Sequence, residues 1–262
     1  MRNLLVCSML TLFLFGCSSK QNDTSVNLDK SNQESSKTSI LFIVSNQHTY
    51  GDTEIGTSNH FAEIVLAYDL LINEGYSVDF VSPKGGAIPI GYLDTSDSIQ
   101  KQYIYDSNFM NKLKNTHRPD GILASNYKAV YYSGGGAAMF GVPEDEKIQN
   151  IVTKIYENNG IISAICHGTA GIVNLKNNDG TYIYEGKKIN GFPDFFENKE
   201  ARYYKEFPFS IEGILKERGG DFSYSEKGWD NYFVVDGRLI SGQDPTASAS
   251  VARKIIETLQ NK

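Results

Sequence analysis

The strongest constraint on the fold is a recurrence: short apolar runs that end abruptly in small or polar residues, alternating with longer stretches of helical periodicity. Ser39 to Ser45 is the first run. Ser77 to Ser82 is the second, halted by Pro83 and Gly85-Gly86. Tyr127 to Tyr132 is the third, followed by Gly134-Gly135-Gly136, and Gly160 to Ile165 is the fourth, running straight into Cys166. Such runs suit strands buried on both faces of a parallel sheet. Between them, Phe61 to Asn73 reads as a helix ended by Gly75, Ser98 to Asn115 as an interrupted helix, and Glu144 to Glu157 as an amphipathic helix. Shorter strands follow near Phe222 to Tyr224, Tyr232 to Val235 and Leu239 to Ser241, and Thr246 to Gln260 reads as a closing helix. This alternation predicts an α/β sandwich around a mostly parallel sheet, whose ligands bind at the carboxyl ends of the strands. Cys166, the triple glycine and the loop after Ser45 all fall at such ends.

The segment Ser163-Ala164-Ile165-Cys166-His167-Gly168-Thr169-Ala170 is the most informative one chemically. A buried strand passes to a helix through a single residue with glycine close behind, the pattern of a nucleophile elbow. Such a turn presents Cys166 at the strand end and aims it at a helix N-terminus, where N–H groups and the helix dipole favour the thiolate. A buried structural cysteine is the competing reading. The chain carries 3 cysteines, which excludes a disulfide scaffold and a Cys-rich zinc module. Its net charge of −6 argues against a nucleic-acid partner. With 40% hydrophobic and 21% charged residues, most of the chain is expected to fold.

The first residues are of another kind. Met1-Arg2-Asn3 precedes an apolar run from Leu4 to Phe15, a signal-peptide pattern too short for a spanning helix, which needs roughly 20 residues. Leu14-Phe15-Gly16-Cys17 resembles a bacterial lipobox. The resemblance implies a signal peptide over 1–16 that takes Cys7 with it, lipidation of Cys17, and a chain anchored to a lipid membrane of the bacterial cell envelope, periplasmic or outward-facing. Residues 17–38 are rich in Ser, Asn, Gln, Asp and Lys and read as a flexible tether. Residues 39–262 are expected to form one domain.

Ala164-Ile165-Cys166-His167-Gly168 resembles the nucleophile motif of the DJ-1/PfpI superfamily, and the chain from Ser39 to Leu259 resembles its Hsp31-like branch. Val81-Ser82-Pro83-Lys84-Gly85-Gly86 is similar to the branch's segment after the second strand, Ala138 to Glu144 to its stretch after the glycine turn, and Gly186 to Phe192 to its strand beyond the elbow. Gly228 to Tyr232, Asp236 to Gly242 and Asp244 to Ser248 resemble its C-terminal signature. The resemblance implies a flavodoxin-like sandwich and a triad. Cys166 would be the nucleophile, His167 the base, and Glu197 the acid that orients the imidazole, with Asp194 as the alternative third member. It also implies a second acid on the first helix, Glu63, twelve positions ahead of Gly75. Surrounded by Phe61, Ala62, Ile64 and Val65, Glu63 would shuttle a proton with the thiol, its pKa raised by burial. Glu54 is a remoter alternative, and His60 is expected to line the pocket. Backbone N–H groups of Gly135 and His167 would form the oxyanion site. A homodimer is left open, with no interface named.

Two positions depart from the branch, which has Gly-His-Gly where this chain has Gly135-Gly136-Ala137, and Asp where this chain has Gly141. The missing histidine leaves the nucleophile intact and bears on the substrate. The histidines are His48, His60, His117 and His167, so none follows the elbow, and the Cys/His-x-Glu triad of glutamine amidotransferases is excluded. The resemblance therefore implies a glutathione-independent glyoxalase that converts methylglyoxal, a small aldehyde, to lactate with no metal or organic cofactor. The alternatives are a cysteine hydrolase acting on peptides or amides, and a holding chaperone or redox stress sensor.

Overall fold

The structure is a computed structural model that describes residues 38–261. The expected signal peptide, the lipidation site Cys17 and the tether as far as residue 37 lie outside the described residues. Among the described residues, ten strands and six α-helices follow one another as β1 (Ser39–Ile43), β2 (Asn59–His60), α1 (Phe61–Asn73), β3 (Ser77–Val81), β4 (Ile90–Gly91), α2 (Ser98–Tyr105), α3 (Ser107–Lys114), β5 (Tyr127–Tyr132), α4 (Glu146–Glu157), β6 (Ile161–Ile165), β7 (Lys188–Ile189), α5 (Ile211–Glu217), β8 (Asp221–Phe222), β9 (Phe233–Asp236), β10 (Leu239–Gly242) and α6 (Ser248–Gln260).

Six of the strands form the central sheet in the order β3-β1-β5-β6-β10-β9, parallel except for the edge strand β9. This is the expected α/β sandwich with a mostly parallel sheet. Period-two alternation splits each inner strand between two cores. Ile40, Phe42 and Val44 face α1, α3 and α6, whereas Leu41 and Ile43 face the side covered by α4 and α5. Burial on both faces explains why these strands read as near-continuous apolar runs. Helix α1 ends where expected: Gly75 takes φ +86 and Tyr76 N–H donates to Leu71, closing the last turn.

Two expectations are corrected. The segment after the elbow, Cys166–Ile172, is a tight 3-10 helix rather than an α-helix. Gly168 and Gly171 let it wind directly onto Tyr132, where any side chain would collide with the Tyr132 carbonyl or ring. The closing helix begins at Ser248 rather than Thr246, because Asp244 caps a separate turn, Pro245–Ala247, accepting from Thr246 N–H at 3.0 Å. Among the described residues, no helix is long and apolar enough to cross a membrane.

Candidate active site

The carboxyl ends of β1, β5 and β6 meet beside the point where strand order reverses between β1 and β5, the place such sheets reserve for ligands. Cys166 stands there on the first residue after β6 with φ +56, a left-handed conformation that is uncommon without glycine. The strain is that of a nucleophile elbow, tolerated because the packing around it over-determines the turn. A cavity of about 450 Å³ opens over the thiol.

His167 follows on the same turn. Its Nδ1 lies 3.4 Å from the Cys166 sulfur, and its Nε2 lies 2.9 Å from Glu197 Oε1. The His167 and Glu197 side chains are only 13% and 7% exposed, so the pair is screened from water. Phe192 stacks on the imidazole with ring centroids 4.7 Å apart and fixes its plane. The structure thus brings Cys166, His167 and Glu197 into one line. It does not bring Asp194 there. Asp194 accepts from Ser210 Oγ at 2.6 Å and pairs with Lys199 at 3.2 Å, which ties down the surface turn ahead of α5.

Glu63, in the first turn of α1, is fully buried. One carboxyl oxygen accepts from Gly134 N–H at 2.6 Å, and the carboxyl packs against the Cys166 thiol in range to share a proton with it. Burial pushes Glu63 up to about 8, against the opposing pull of the Gly134 N–H. Glu54, by contrast, is exposed on the turn after Tyr50 and lines no part of the cavity.

The thiol behaves differently from the sequence expectation. Burial first, and the neighbouring carboxylate of Glu63 second, push Cys166 well above the ordinary cysteine range. A seven-residue 3-10 helix offers little dipole, and Cys166 is only 4% exposed. Two features work the other way. The His167 backbone N–H points at the sulfur and favours its charged form. Glu63, carrying its own proton at neutral pH, also ceases to repel a thiolate.

Of the expected oxyanion donors, Gly135 lines the cavity with φ +92, and a Cβ there would sit 2.6 Å from His60 N. Only glycine fits that close approach. The other donor, the His167 N–H, is turned to the sulfur. His60 lines the cavity as expected. Burial, then the charge of His167, lower it to about 4, so it is neutral at physiological pH. Gly136, where the resemblance expects histidine, has no room for any side chain, because the Tyr50 hydroxyl and Thr57 Oγ1 occupy that space. Gly141 lies on an exposed turn outside the cavity.

Sequence reasoning missed most of the rest of the wall, Tyr50, Tyr92, Phe196, Tyr203 and Phe207, and held Pro245 only within a motif. Tyr92 stacks on His60 with centroids 4.6 Å apart and planes 1° from parallel. Trp229 was visible only as part of a motif. Among the described residues, no cluster of His, Cys, Asp or Glu is suited to hold a metal ion.

The DJ-1/PfpI family matches residues 57–258. The chain is 27% identical over 234 residues to the glutathione-independent glyoxalase HSP31 of Saccharomyces cerevisiae, covering 85% of this chain and 98% of that protein. It is 27% identical over 233 residues to glyoxalase 3 of Candida albicans, covering 84% and 98%. Among solved structures, the Rapid Encystment Protein 24 kDa of Francisella tularensis superposes with a TM-score of 0.79 at 29% identity, covering 85% of this chain and 99% of that one.

Proposed function

Because the chain belongs to the DJ-1/PfpI family, we propose that it is a glutathione-independent glyoxalase, converting an α-oxoaldehyde and water to a 2-hydroxy acid. The observation that carries the reading is the line Cys166, His167, Glu197 in the wall of one cavity, with the buried Glu63 carboxyl behind the thiol. It joins a thiol to proton carriers on either side. The relatives named as glyoxalases span nearly their whole length on this chain.

The reaction is redox-neutral overall. Cys166 loses its proton to His167, its sulfur bonds to the aldehyde carbon, and the imidazole returns the proton to the aldehyde oxygen, giving a hemithioacetal. The Gly135 amide lies beside the oxygen on which charge develops. Either His167 takes the C1 proton, or Glu63 does so after giving its own proton to the C2 oxygen; an enediol forms, and a proton returns to C2 as the C1 hydroxyl loses its own. C1 is now a thioester carbon. Water attacks it, the C–S bond breaks, and the thiol and acid are released. Glu197 holds the imidazole in position throughout and stabilises its charged form. Apart from the water that hydrolyses the thioester, each step draws on groups of the chain.

The test is lactate formation from methylglyoxal without glutathione, with Cys166→Ala as the blank. Absence of the 2-hydroxy acid from methylglyoxal and from a bulkier α-oxoaldehyde alike, with protein whose Cys166 is confirmed reduced, overturns the reading. Acylation of Cys166 by a peptide-like probe, with no aldehyde consumed, points instead to a hydrolase.

We propose also that the mature chain begins at a lipidated Cys17 and is held at a membrane of the cell envelope. Leu14-Phe15-Gly16-Cys17 after a short apolar run supports this. Metabolic labelling with an alkyne fatty acid tests it: Cys17→Ser should lose the label and move to the soluble fraction. A homodimer is proposed on the resemblance alone, and light scattering on the purified protein tests it.

A further inference from the structure

Methylglyoxal has five heavy atoms and displaces roughly four waters of about 30 Å³ each. The cavity over Cys166 is about 450 Å³, so most of it is left for something larger. Its two sides differ. Near the thiol lie polar groups: the Gly135 amide, neutral His60, and Tyr92, whose hydroxyl is directed at Tyr50 and the Gly136 amide. Phe192, which covers the His167 imidazole, continues through Phe196 to Trp229 as an aromatic wall.

That wall is built rather than incidental. Trp229 is 57% exposed and takes φ +44, which is unfavourable for a bulky residue. The residues just ahead of α6 hold it there. Asp244 accepts from Trp229 N–H at 2.9 Å, Thr246 Oγ1 from Asn231 N–H at 2.9 Å, and Gln243 Oε1 from Ser225 N–H at 2.7 Å. The indole packs edge-on to Phe196 at 5.2 Å and to Phe192 at 6.3 Å. A strained, pinned and solvent-facing tryptophan at a cavity mouth offers apolar area to a ligand, because the fold gains little by burying it.

We propose that the substrate is an α-oxoaldehyde whose substituent is an aromatic ring, or a flat apolar group of that size, held against Phe192, Phe196 and Trp229 while its two carbonyls lie between Cys166 and Tyr92. The proposal rests on the glyoxalase reading. Phenylglyoxal and water would give mandelate by the same hemithioacetal, proton transfer and thioester hydrolysis, with no further reactant.

The experiment compares kcat/KM for phenylglyoxal and methylglyoxal in the full-length protein and in Trp229→Ala, Phe196→Ala, Trp229→Phe and Tyr105→Ala. Phenylglyoxal should be favoured at least tenfold. Trp229→Ala and Phe196→Ala should each lower the ratio of the two constants about tenfold, and Trp229→Phe should restore most of it. Tyr105, on an exposed ring outside the cavity, should leave the ratio unmoved. A variant that merely loses folded protein lowers both constants together and leaves their ratio intact, so misfolding does not imitate the expected result. Methylglyoxal turnover with no phenylglyoxal preference, or a ratio indifferent to Trp229→Ala, overturns the proposal and spares the glyoxalase reading. Consumption of neither aldehyde by protein with a reduced Cys166 overturns both.

Discussion

Glu63 is where burial and chemistry act on the same atoms. Its folded pKa of about 8 stands above the ordinary carboxylate value of 4.5. The folded state therefore keeps a proton that the unfolded chain releases, and the contribution to stability is complete below pH 4.5 and lost as pH rises through 8. His60 runs the opposite way. Lowered from 6.5 to about 4, it contributes above pH 6.5 and loses that contribution as pH falls through 4. In Glu63→Gln the alkaline loss should vanish, a difference of a few kcal/mol between pH 5 and pH 9. Urea unfolding across that range checks it, and a slope shared with the wild type would mean that Glu63 does not hold the proton. Glu197→Gln removes the negative partner of His167 at 2.9 Å while keeping its shape. It should lower kcat by on the order of 10²-fold with KM nearly unchanged, as steady-state kinetics will show. Cys166, His167, Glu63 and Glu197 could be read from the sequence because each lies in a motif or at a fixed distance from a glycine. Tyr50, Tyr92, Tyr203 and Phe207 could not. They come from loops, where no periodicity marks a direction, in a chain with 16 tyrosines and 14 phenylalanines.

At the scale of elements, the elbow depends on how closely the turn after β6 lies on β5. A Cβ at Gly168 would meet the Tyr132 carbonyl oxygen and, at 2.8 Å, the Ser133 carbonyl carbon, and backbone atoms in a central strand cannot yield. Gly168→Ala should destabilise the protein by about 2–4 kcal/mol and speed alkylation of Cys166 by iodoacetamide as the turn lifts. Gly180→Ala is the comparison. Its φ is +87 with no atom within 4 Å, so strain alone acts there and the loss should be about 1 kcal/mol. Denaturant melts and alkylation rates distinguish the two, and equal losses would count against a steric origin. The same closeness explains what the sequence hid. β1, β3, β5, β6, α1 and α4 follow their hydrophobic patterns to within a residue or two. Nothing in Cys166–Ile172 betrays a tight winding, because that is set by contact with Tyr132. The pairs β2–β4 and β7–β8 have two residues per strand, too few for an alternation to show, and they form only where loops meet.

At the scale of the whole molecule, direction matters most. Cys166, Gly135 and the loop that follows β1 all lie at the carboxyl ends of the parallel strands, while the described chain enters at Thr38, at the amino end of β1. Five residues of strand separate the two ends, roughly 17 Å at about 3.3 Å per residue. The entry point therefore lies at the opposite end of the sheet from the cavity. The entry is also where folding begins to depend on the chain. The Thr38 carbonyl accepts from Ser77 N–H at 3.1 Å, extending the ladder between β1 and β3. β1 lies between β3 and β5, with Ile40, Leu41 and Phe42 fully buried. A protein beginning at Thr38 should keep its unfolding midpoint within about 2 °C and its kcat/KM within twofold of the longer chain. One beginning at Phe42 loses Ile40 and Leu41 from two cores at once, about 2–5 kcal/mol each, and should not fold. Circular dichroism melts and aldehyde consumption on the two truncations provide the check. A loss of several degrees on removing 1–37 alone would show that those residues contribute to the fold, and the separation of tether from domain would then be wrong.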